Sequence, residues 1–210
     1  MPPNPLRLVL LLVLGTILLP ASLGAALPKQ ELTPAEPPSL TGRLLVASPA
    51  MPDPRFRRTV ILVIRHDRKG ALGITINRPL GERSLATLLQ AMGDSTATQG
   101  ASVRIFAGGP VQPEIGFVIH STEYDRQDTL PINADLSVTA SLEVLRDLAR
   151  SQGPEKSLVA LGYAGWSAGQ LEAELARDDW LVVPATAALV FDTPPERLWD
   201  KATAARGKGP

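Results

Sequence analysis

Residues 44–79 of the chain read LLVASPAMPDPRFRRTVILVIRHDRKGALGITINRP. Within this stretch, residues 60–64 form an unbroken apolar and mostly β-branched run, which is typical of a strand buried on both faces. Residues 67–70 then carry turn chemistry, and residues 71–77 return as a second β-rich run. The pattern predicts a β-hairpin with a four-residue connection as the central element of the fold.

The chain has 210 residues, a net formal charge of zero and no cysteine. One domain is the expectation at this length, and the roughly 160 residues that remain without the two ends are enough to bury a core. A chain without cysteine cannot form a disulfide, use a thiol nucleophile, or bind zinc or an iron–sulfur cluster through thiolates. The sequence predicts neither a cofactor nor a metal site.

The first 26 residues have the layout of a secretory signal peptide. Arg7 supplies the positive charge, residues 8–19 form a Leu- and Val-rich core, and residues 24–26 offer small side chains for cleavage. The core is too short for a comfortable transmembrane helix. We therefore expect export to the periplasm. An uncleaved anchor, or a start codon placed too far upstream, are the alternatives, and the second would leave the protein in the cytoplasm.

The expected organisation is a signal peptide, a Pro-rich linker, one folded domain and a disordered tail. Their predicted bounds are 1–26, 27–40, 41–202 and 203–210.

The folded part predicts strands that first form hairpins and later alternate with helices. Further strands are expected at residues 42–47, 103–107, 115–119, 136–139, 158–161 and 180–183. Helices are expected at residues 85–92, after Ser141, at 168–177 and at 194–205, and the glycine-rich residues 162–165 are interpreted as a connection. This order indicates a single α+β (mixed α/β) domain with helices packed outside the sheet.

Several spaced motifs resemble the YqgE/AlgH family of small bacterial proteins. They are AMPDPRF at 50–56, HD at 66–67, GALG at 70–73, NRPL at 77–80, GGPV at 108–111, GF with His120 at 116–120, LGYAGW at 161–166, GQLE at 169–172, DWL at 179–181, and Trp199. The resemblance covers residues 41–202 and implies a bifurcated mixed β-sheet curled into a pseudo-barrel. Family members are often labelled transcriptional regulators, without a settled biochemical activity.

The N-terminal extension departs from this family, whose members usually begin near the equivalent of Leu40. An exported protein does not meet the chromosome, so the extension argues against the regulator label.

The segment GWSAG at 165–169 matches the G-x-S-x-G pattern of serine hydrolases. Such an enzyme needs a histidine after its serine, and the last histidine of this chain is His120. We therefore interpret Ser167 as a helix N-cap that forms a capping box with Gln170. No catalytic residue is predicted.

The chain has two histidines, His66 and His120, and both are expected at strand ends beside turns. A metal or ligand site that includes Asp67 or Glu123 is one interpretation, although the sequence has no histidine pair at ligand spacing. The favoured interpretation is that each imidazole hydrogen-bonds a backbone group at a tight turn.

Basic side chains concentrate between Asp53 and Arg78, where seven basic residues face two acidic ones. The predicted basic patch consists of Arg55, Arg57, Arg58, Arg65, Arg68 and Lys69. Such a patch suits an anionic or protein partner. Nucleic acid is not expected as the partner if the protein is exported. In addition, no aromatic stacking surface or helix-turn-helix accompanies the patch. We interpret it as a solvated face, partly neutralised by the acidic C-terminal half.

Two further segments have both a structural and a binding interpretation. Asn77 and Arg78 are expected at a strand exit and are candidates to point into a cleft. Residues 108–110 (GGP) are interpreted as a glycine-dependent turn rather than an anion-binding nest, because Pro110 lacks a backbone donor.

The best candidate ligand site surrounds residues 162–166. Tyr163 and Trp166 each combine an apolar ring with a polar atom, and Gln170 and Glu174 follow on the next helix. Packing of both rings in the core is nevertheless the favoured interpretation. The candidate ligand-binding residues are His66, Asn77, Arg78, His120, Tyr163, Trp166 and Gln170.

The function that the sequence favours is that of an exported, non-enzymatic binding or interaction protein. The alternatives are a cytoplasmic transcription-associated regulator, if the signal is an artefact, and an unrecognised hydrolase or metal-dependent enzyme. The partner is not identified by the sequence.

Overall fold

The computed structural model describes residues 38–94 and 101–206 of the chain. The predicted signal peptide, most of the predicted linker and the last four residues lie outside this part. The strands are β1 (Arg43–Ala47), β2 (Val60–Asp67), β3 (Gly70–Thr75), β4 (Pro79–Ser84), β5 (Ser102–Ala107), β6 (Val111–Ser121), β7 (Leu130–Pro131), β8 (Leu136–Thr139), β9 (Ser157–Ser167) and β10 (Trp180–Pro184). The helices are α1 (Leu85–Ala91), α2 (Leu142–Ala149), α3 (Gln170–Ala176), α4 (Ala187–Val190) and α5 (Pro195–Ala204).

The central hairpin is formed by β2 and β3, and β2 is buried on both faces as predicted. Val60, Leu62 and Ile64 pack into one core cluster, whereas Ile61 and Val63 pack into another on the opposite face. The predicted four-residue connection is wrong. Asp67 pairs with Gly70, which leaves a two-residue turn, because the positive φ of Gly70 lets the chain turn that tightly.

The strands form one curled sheet in the order β10-β1-β2-β3-β9-β6-β8-β7. The sheet divides along one edge of β9. There, β5 runs parallel to residues 159–161 and carries β4 on its other side, whereas β3 runs antiparallel to residues 164–167. The parallel pair makes the sheet mixed. A half-barrel of this kind, with several helices, confirms the predicted α+β single-domain fold.

The prediction for the C-terminal half of β9 was wrong. Residues 162–165 are not a connection, because β9 continues through them to Ser167 and Gly162 adopts a positive φ within the strand. β4 was not predicted at all. It follows the predicted strand exit at Asn77–Pro79, and its side chains are exposed or half-buried, so it carries no apolar alternation.

β10 extends one residue beyond its predicted end, to Pro184, whereas α5 lies within the predicted helix 194–205. α5 continues to Ala204, two residues into the segment expected to be disordered. Among the described residues, no helix is both long and apolar enough to span a bilayer.

Candidate functional site

A groove lies between the loop that joins β1 to β2 and the C-terminal half of β9. Its volume is about 380 Å³. The loop, the C-terminal half of β9, α3 and the start of β6 all contribute residues to its lining. The residues that line it are Met51, Pro52, Asp53, Arg55, Phe56, Pro110, Val111, Ala164, Gly165, Trp166, Gln170, Glu174, Arg177, Asp179 and Trp180.

The carboxylate of Glu174 organises the floor of this groove. Its Oε2 accepts a hydrogen bond from Nε1 of Trp166 (2.8 Å) and another from Nε1 of Trp180 (2.7 Å). Its Oε1 accepts from the side-chain amide of Gln170 (3.0 Å). An ionised carboxylate can accept this many bonds, and a single acceptor for two buried indole N–H groups fixes both rings.

Three aromatic rings pack edge to face at the groove. The centroids of Phe56 and Trp180 are 5.8 Å apart, and those of Trp166 and Trp180 are 6.1 Å apart. Both indoles are nearly buried, with exposed fractions of 7% for Trp166 and 4% for Trp180. The floor is therefore preformed, and little rotamer freedom remains for a ligand to remove.

Ion pairs stand at the rim. Arg55 donates hydrogen bonds from Nε and Nη2 to the carboxylate of Asp53, and Arg177 does the same to the carboxylate of Asp179. The hydrogen bond from the Arg55 side chain is the main reason why the pKa of Asp53 lies below its ordinary value. Each pair presents both signs of charge to the groove.

A smaller cavity of about 170 Å³ continues the groove past Arg55, Phe56 and Pro110. Its other lining residues are Thr59, Thr75, Arg78, Ala107 and Gly109.

The sequence of this chain matches a family model described as AlgH-like over residues 44–209. The chain belongs to the AlgH-like family.

Relatives support this assignment. A UPF0301 protein of Xylella fastidiosa is 47% identical over 165 residues, which are 78% of this chain and 87% of that protein. A UPF0301 protein of Jannaschia is 43% identical over 173 residues, or 81% and 90% of the two chains. The solution structure of the AlgH protein from Pseudomonas aeruginosa superimposes with a TM-score of 0.70 at 44% identity, covering 81% of this chain and 90% of that one.

A more distant structural likeness concerns the fold alone. A crystal structure from Corynebacterium diphtheriae has a TM-score of 0.62 at 21% identity, and covers 83% of this chain and 88% of that one. The names of these UPF0301 relatives state no activity, so membership of the AlgH-like family assigns a fold and leaves the biochemical activity open.

In this AlgH-like chain, the predicted site residues Trp166, Gln170 and Glu174 come together, but Tyr163 does not join them. Residues 163 and 166 of a strand point to opposite faces. The ring of Tyr163 packs against Phe117 at a centroid distance of 6.2 Å, on the face away from Trp166. The interpretation in which both rings line one pocket is therefore wrong. Trp166 is nearly buried, as the favoured core packing requires, and it also lines the groove.

The predicted cap at Ser167 is only partly correct. Gln170 reaches back and accepts from the backbone N–H of Ser167 (3.1 Å), as in a capping box. However, Ser167 is the last residue of β9, its hydroxyl donates to the same Gln170 oxygen, and the N-cap of α3 is Gly169 at φ 75°. A glycine that adopts this φ without strain takes the place of the predicted serine.

Asn77 and Arg78 do not project freely into a cleft. The Asn77 side chain accepts from the backbone N–H of Val60 (2.9 Å) and donates to the Arg58 carbonyl (2.8 Å). Arg78 lines the smaller cavity while it donates to the Arg57 carbonyl and the Thr59 hydroxyl. Both side chains fix the loop that forms the groove wall.

Both histidines hydrogen-bond backbone groups, as predicted. Nδ1 of His66 accepts from the backbone N–H of Leu40 (3.1 Å), so Nε2 carries the proton and donates to Glu172 (2.7 Å). In buried His120, Nδ1 donates to the Ser121 carbonyl, and Nε2 accepts from the Thr139 hydroxyl. Within the described residues, no group of three His, Cys, Asp or Glu side chains is placed to hold a metal ion.

The predicted basic patch is divided into two clusters. Residues 55–58 precede β2, whereas Arg65, Arg68 and Lys69 lie at its far end. An eight-residue strand is about 26 Å long, so the clusters do not form one face. Arg58 also pairs with Asp200 (2.8 Å) and stacks on Trp199, which agrees with the expected neutralisation from the C-terminal half.

The GGP segment carries the chain across β9. A Cβ on Gly109 would lie 2.0 Å from the backbone carbon of Tyr163, so only glycine permits this crossing. The segment therefore acts as a close backbone contact. Glycine is needed there, but the predicted reason is wrong, because neither Gly108 nor Gly109 adopts the positive φ of a glycine-dependent turn.

Sequence reasoning missed Phe56 and Trp180 as parts of the site. Trp180 reaches the groove because β10 pairs with β1. Phe56 reaches it because Asn77 and Arg78 fix the loop between β1 and β2. The DWL motif at 179–181 was the available signal for Trp180, but a motif does not indicate which strand lies beside β10.

Proposed function

We propose that this AlgH-like chain is an exported, non-enzymatic binding protein, and that its ligand lies in the groove over Trp166, Trp180 and Phe56. The N-terminal 26 residues, with their positive charge, apolar core and small-residue cleavage site, support export.

The observation that carries the proposal is the engagement of Glu174 by two indoles and one amide. A general base needs an unoccupied oxygen within hydrogen-bond reach of a substrate proton. Here the carboxylate is used to hold an aromatic floor, and the rim carboxylates of Asp53 and Asp179 are each held by an arginine. A rigid, aromatic floor with a few placed polar groups is typical of binding sites.

The cytoplasmic regulator is the alternative, and its support is weaker. It requires a basic surface for DNA, and the basic side chains of residues 55–69 stand in two clusters at opposite ends of β2.

Cell fractionation with intact-mass measurement of the purified protein tests export. We expect a mature chain that begins between residues 25 and 27, in the envelope fraction. A cytoplasmic chain that begins near Leu40 would contradict the export and return attention to the regulator.

The three tryptophan indoles offer a direct test of the groove. Trp166 and Trp180 lie in it, whereas Nε1 of Trp199 donates to the Ala47 carbonyl outside its lining. In NMR spectra of ¹⁵N-labelled protein, a low-molecular-weight envelope extract should shift the first two indole N–H signals and leave the third in place. A response confined to Trp199, or no response in any fraction, would contradict the assignment. Phe56→Ala should abolish a genuine response.

A further inference from the structure

The groove includes a free strand edge. β6 lies beside β9 as far as the pair Val111–Tyr163, and no strand of the described residues lies beside that edge farther along. The opposite edge of β9 is occupied there by β3, through the pairs Gly73–Ala164, Leu72–Gly165 and Ala71–Trp166. Residues 164–166 therefore have a strand on one side and the groove on the other.

The backbone of Gly165 points into the groove. Peptide groups of successive strand residues point to opposite edges. In β3, the N–H of Thr75 donates to the Gly108 carbonyl, on the side away from β2. Gly73 and Ala71 lie two and four residues earlier, so they also direct their peptide groups to that side, toward β9. Their partners Ala164 and Trp166 direct their own peptide groups toward β3. Gly165 lies between those two residues, so its N–H and C=O point to the free edge of β9.

Gly165 also leaves room for close approach. It is exposed, and its missing Cβ would point toward the ring of Tyr163, 3.5 Å away, and not along the edge. A ligand backbone can therefore reach the donor and acceptor of Gly165 without meeting a side chain.

We propose that the groove binds an extended peptide segment, which adds to the free edge of β9 by hydrogen bonds to the N–H and C=O of Gly165. This inference rests on the proposed function, because it names the ligand class of the same groove. A donor and an acceptor on one strand residue match the backbone of an extended peptide. Alternate side chains of that peptide then face the aromatic floor of Phe56 and Trp166.

The rim agrees with a peptide. Arg55 and Arg177 are each paired with an aspartate, yet their side chains are 77% and 58% exposed. A guanidinium has five N–H donors, and those not used by the aspartate remain available to peptide carbonyls. The rim therefore supplies exposed donors that suit the backbone carbonyls of a peptide.

Peptide display on the immobilised full-length mature protein provides the probe. The tightest peptide selected from a random twelve-residue library is synthesised with a single N-methyl group at each position in turn. N-methylation should weaken binding roughly five- to tenfold at the one position whose N–H donates to the Gly165 carbonyl, and have little effect at the others. Equal sensitivity at all positions, or at none, would overturn the proposal.

The protein offers a matched pair of variants. Gly165→Pro removes the N–H at an edge where the ladder does not use it, and proline is tolerated on such edges. Gly165→Ala keeps the N–H, and its Cβ has an ordinary 3.5 Å contact. The selected peptide should lose at least roughly tenfold in affinity for the proline variant and keep its affinity for the alanine variant. Equal affinity for both would overturn the proposal. If the proline variant does not fold, the N-methyl series on the unmodified protein decides.

The peptide proposal and the groove can fail separately. If no displayed peptide binds, while a non-peptide envelope fraction shifts the indole signals of Trp166 and Trp180, the peptide is wrong and the groove stands as a ligand site. If a selected peptide binds but its affinity is unchanged by Phe56→Ala and Gly165→Pro, both are wrong.

Discussion

Glu174 is the side chain on which the groove depends most. It is the common acceptor of two indoles that are otherwise nearly buried, so its removal leaves two donors without partners. We expect Glu174→Ala to lower the free energy of unfolding by about 2–4 kcal/mol, since a buried unsatisfied donor costs about 1–3 kcal/mol. Urea denaturation followed by tryptophan fluorescence measures this.

Gln170→Ala is the matched control for that substitution. It removes the third donor to Glu174 from an exposed position on the same helix and leaves both indole bonds in place. A loss below about 1 kcal/mol is expected. Equal losses for the two variants would mean that the indoles do not depend on the carboxylate.

Glu172 gives the fold a dependence on acid. Its pKa lies below the ordinary value, first because it accepts a hydrogen bond from its own backbone N–H, and further because His66 donates to it. A lowered folded-state pKa means that the carboxylate stabilises the fold above the unfolded-state pKa of about 4.3 and that this contribution is lost as the pH falls through the folded-state pKa.

Glu172→Gln should therefore lower the free energy of unfolding at neutral pH, by less than about 1 kcal/mol because the side chain is partly exposed. The difference from the unmodified protein should disappear in acid, below the folded-state pKa. Urea denaturation at a series of pH values measures both the loss at neutral pH and its disappearance in acid. A difference that grows as the pH falls would show that another group is responsible.

The loop between β1 and β2 takes its shape from Asn77. That side chain satisfies the N–H of Val60, a buried residue, and holds the Arg58 carbonyl. We expect Asn77→Ala to destabilise the fold by about 1–3 kcal/mol and to speed amide hydrogen exchange in residues 48–60. Hydrogen exchange read by mass spectrometry distinguishes these residues from the rest of the sheet.

Arg78→Ala is the comparison for Asn77. Its guanidinium also contacts the loop, but from an exposed position. We expect faster exchange with a smaller loss of stability. If amide exchange in the loop is unchanged in Asn77→Ala, contacts other than those of Asn77 fix the shape of the loop.

Elements were predictable where their own residues dictate them. The unbroken run of residues 60–64 identifies a central strand, because polar groups are absent from both faces. β4 was missed because an edge strand with exposed Leu80, Glu82 and Arg83 has no buried face to impose a pattern. The glycines at 162 and 165 suggest a turn, yet both lie within β9, where they permit the close passage of Gly109 and an open edge.

The candidate site was predictable in part for the same reason. Trp166, Gln170 and Glu174 are close in sequence, and the helix spacing of the last two places them on one face. Trp180 and Phe56 meet them only through the pairing of β10 with β1 and the path of the loop, and no local pattern encodes those. Tyr163 was misplaced because a strand, and not a turn, separates it from Trp166.

The curled sheet as a unit depends on Gly109. The chain crosses β9 there, and a Cβ would lie 2.0–2.4 Å from the backbone of Tyr163 and Ala164. Since backbone cannot yield as a flexible side chain does, Gly109→Ala should cost at least about 3 kcal/mol or prevent folding. Gly116→Ala, whose Cβ would meet its nearest neighbour at 3.8 Å, should fold normally. Soluble yield and NMR dispersion compare the two; a well-folded Gly109→Ala protein would contradict this account of the crossing.

The pairing of β1 with β10 also sets the order in which the protein can fold. β1 is synthesised early, but one of its two neighbours is β10, and the Ala47 carbonyl receives its bond from Trp199, 152 residues later. Contacts of such long sequence separation must close a large loop before they contribute, which slows folding. The β2–β3 hairpin can form locally, while the outer edge of β1 stays open until β10 has been made. Under the export that we propose, this delay keeps the growing chain unfolded for as long as it must be threaded through a membrane.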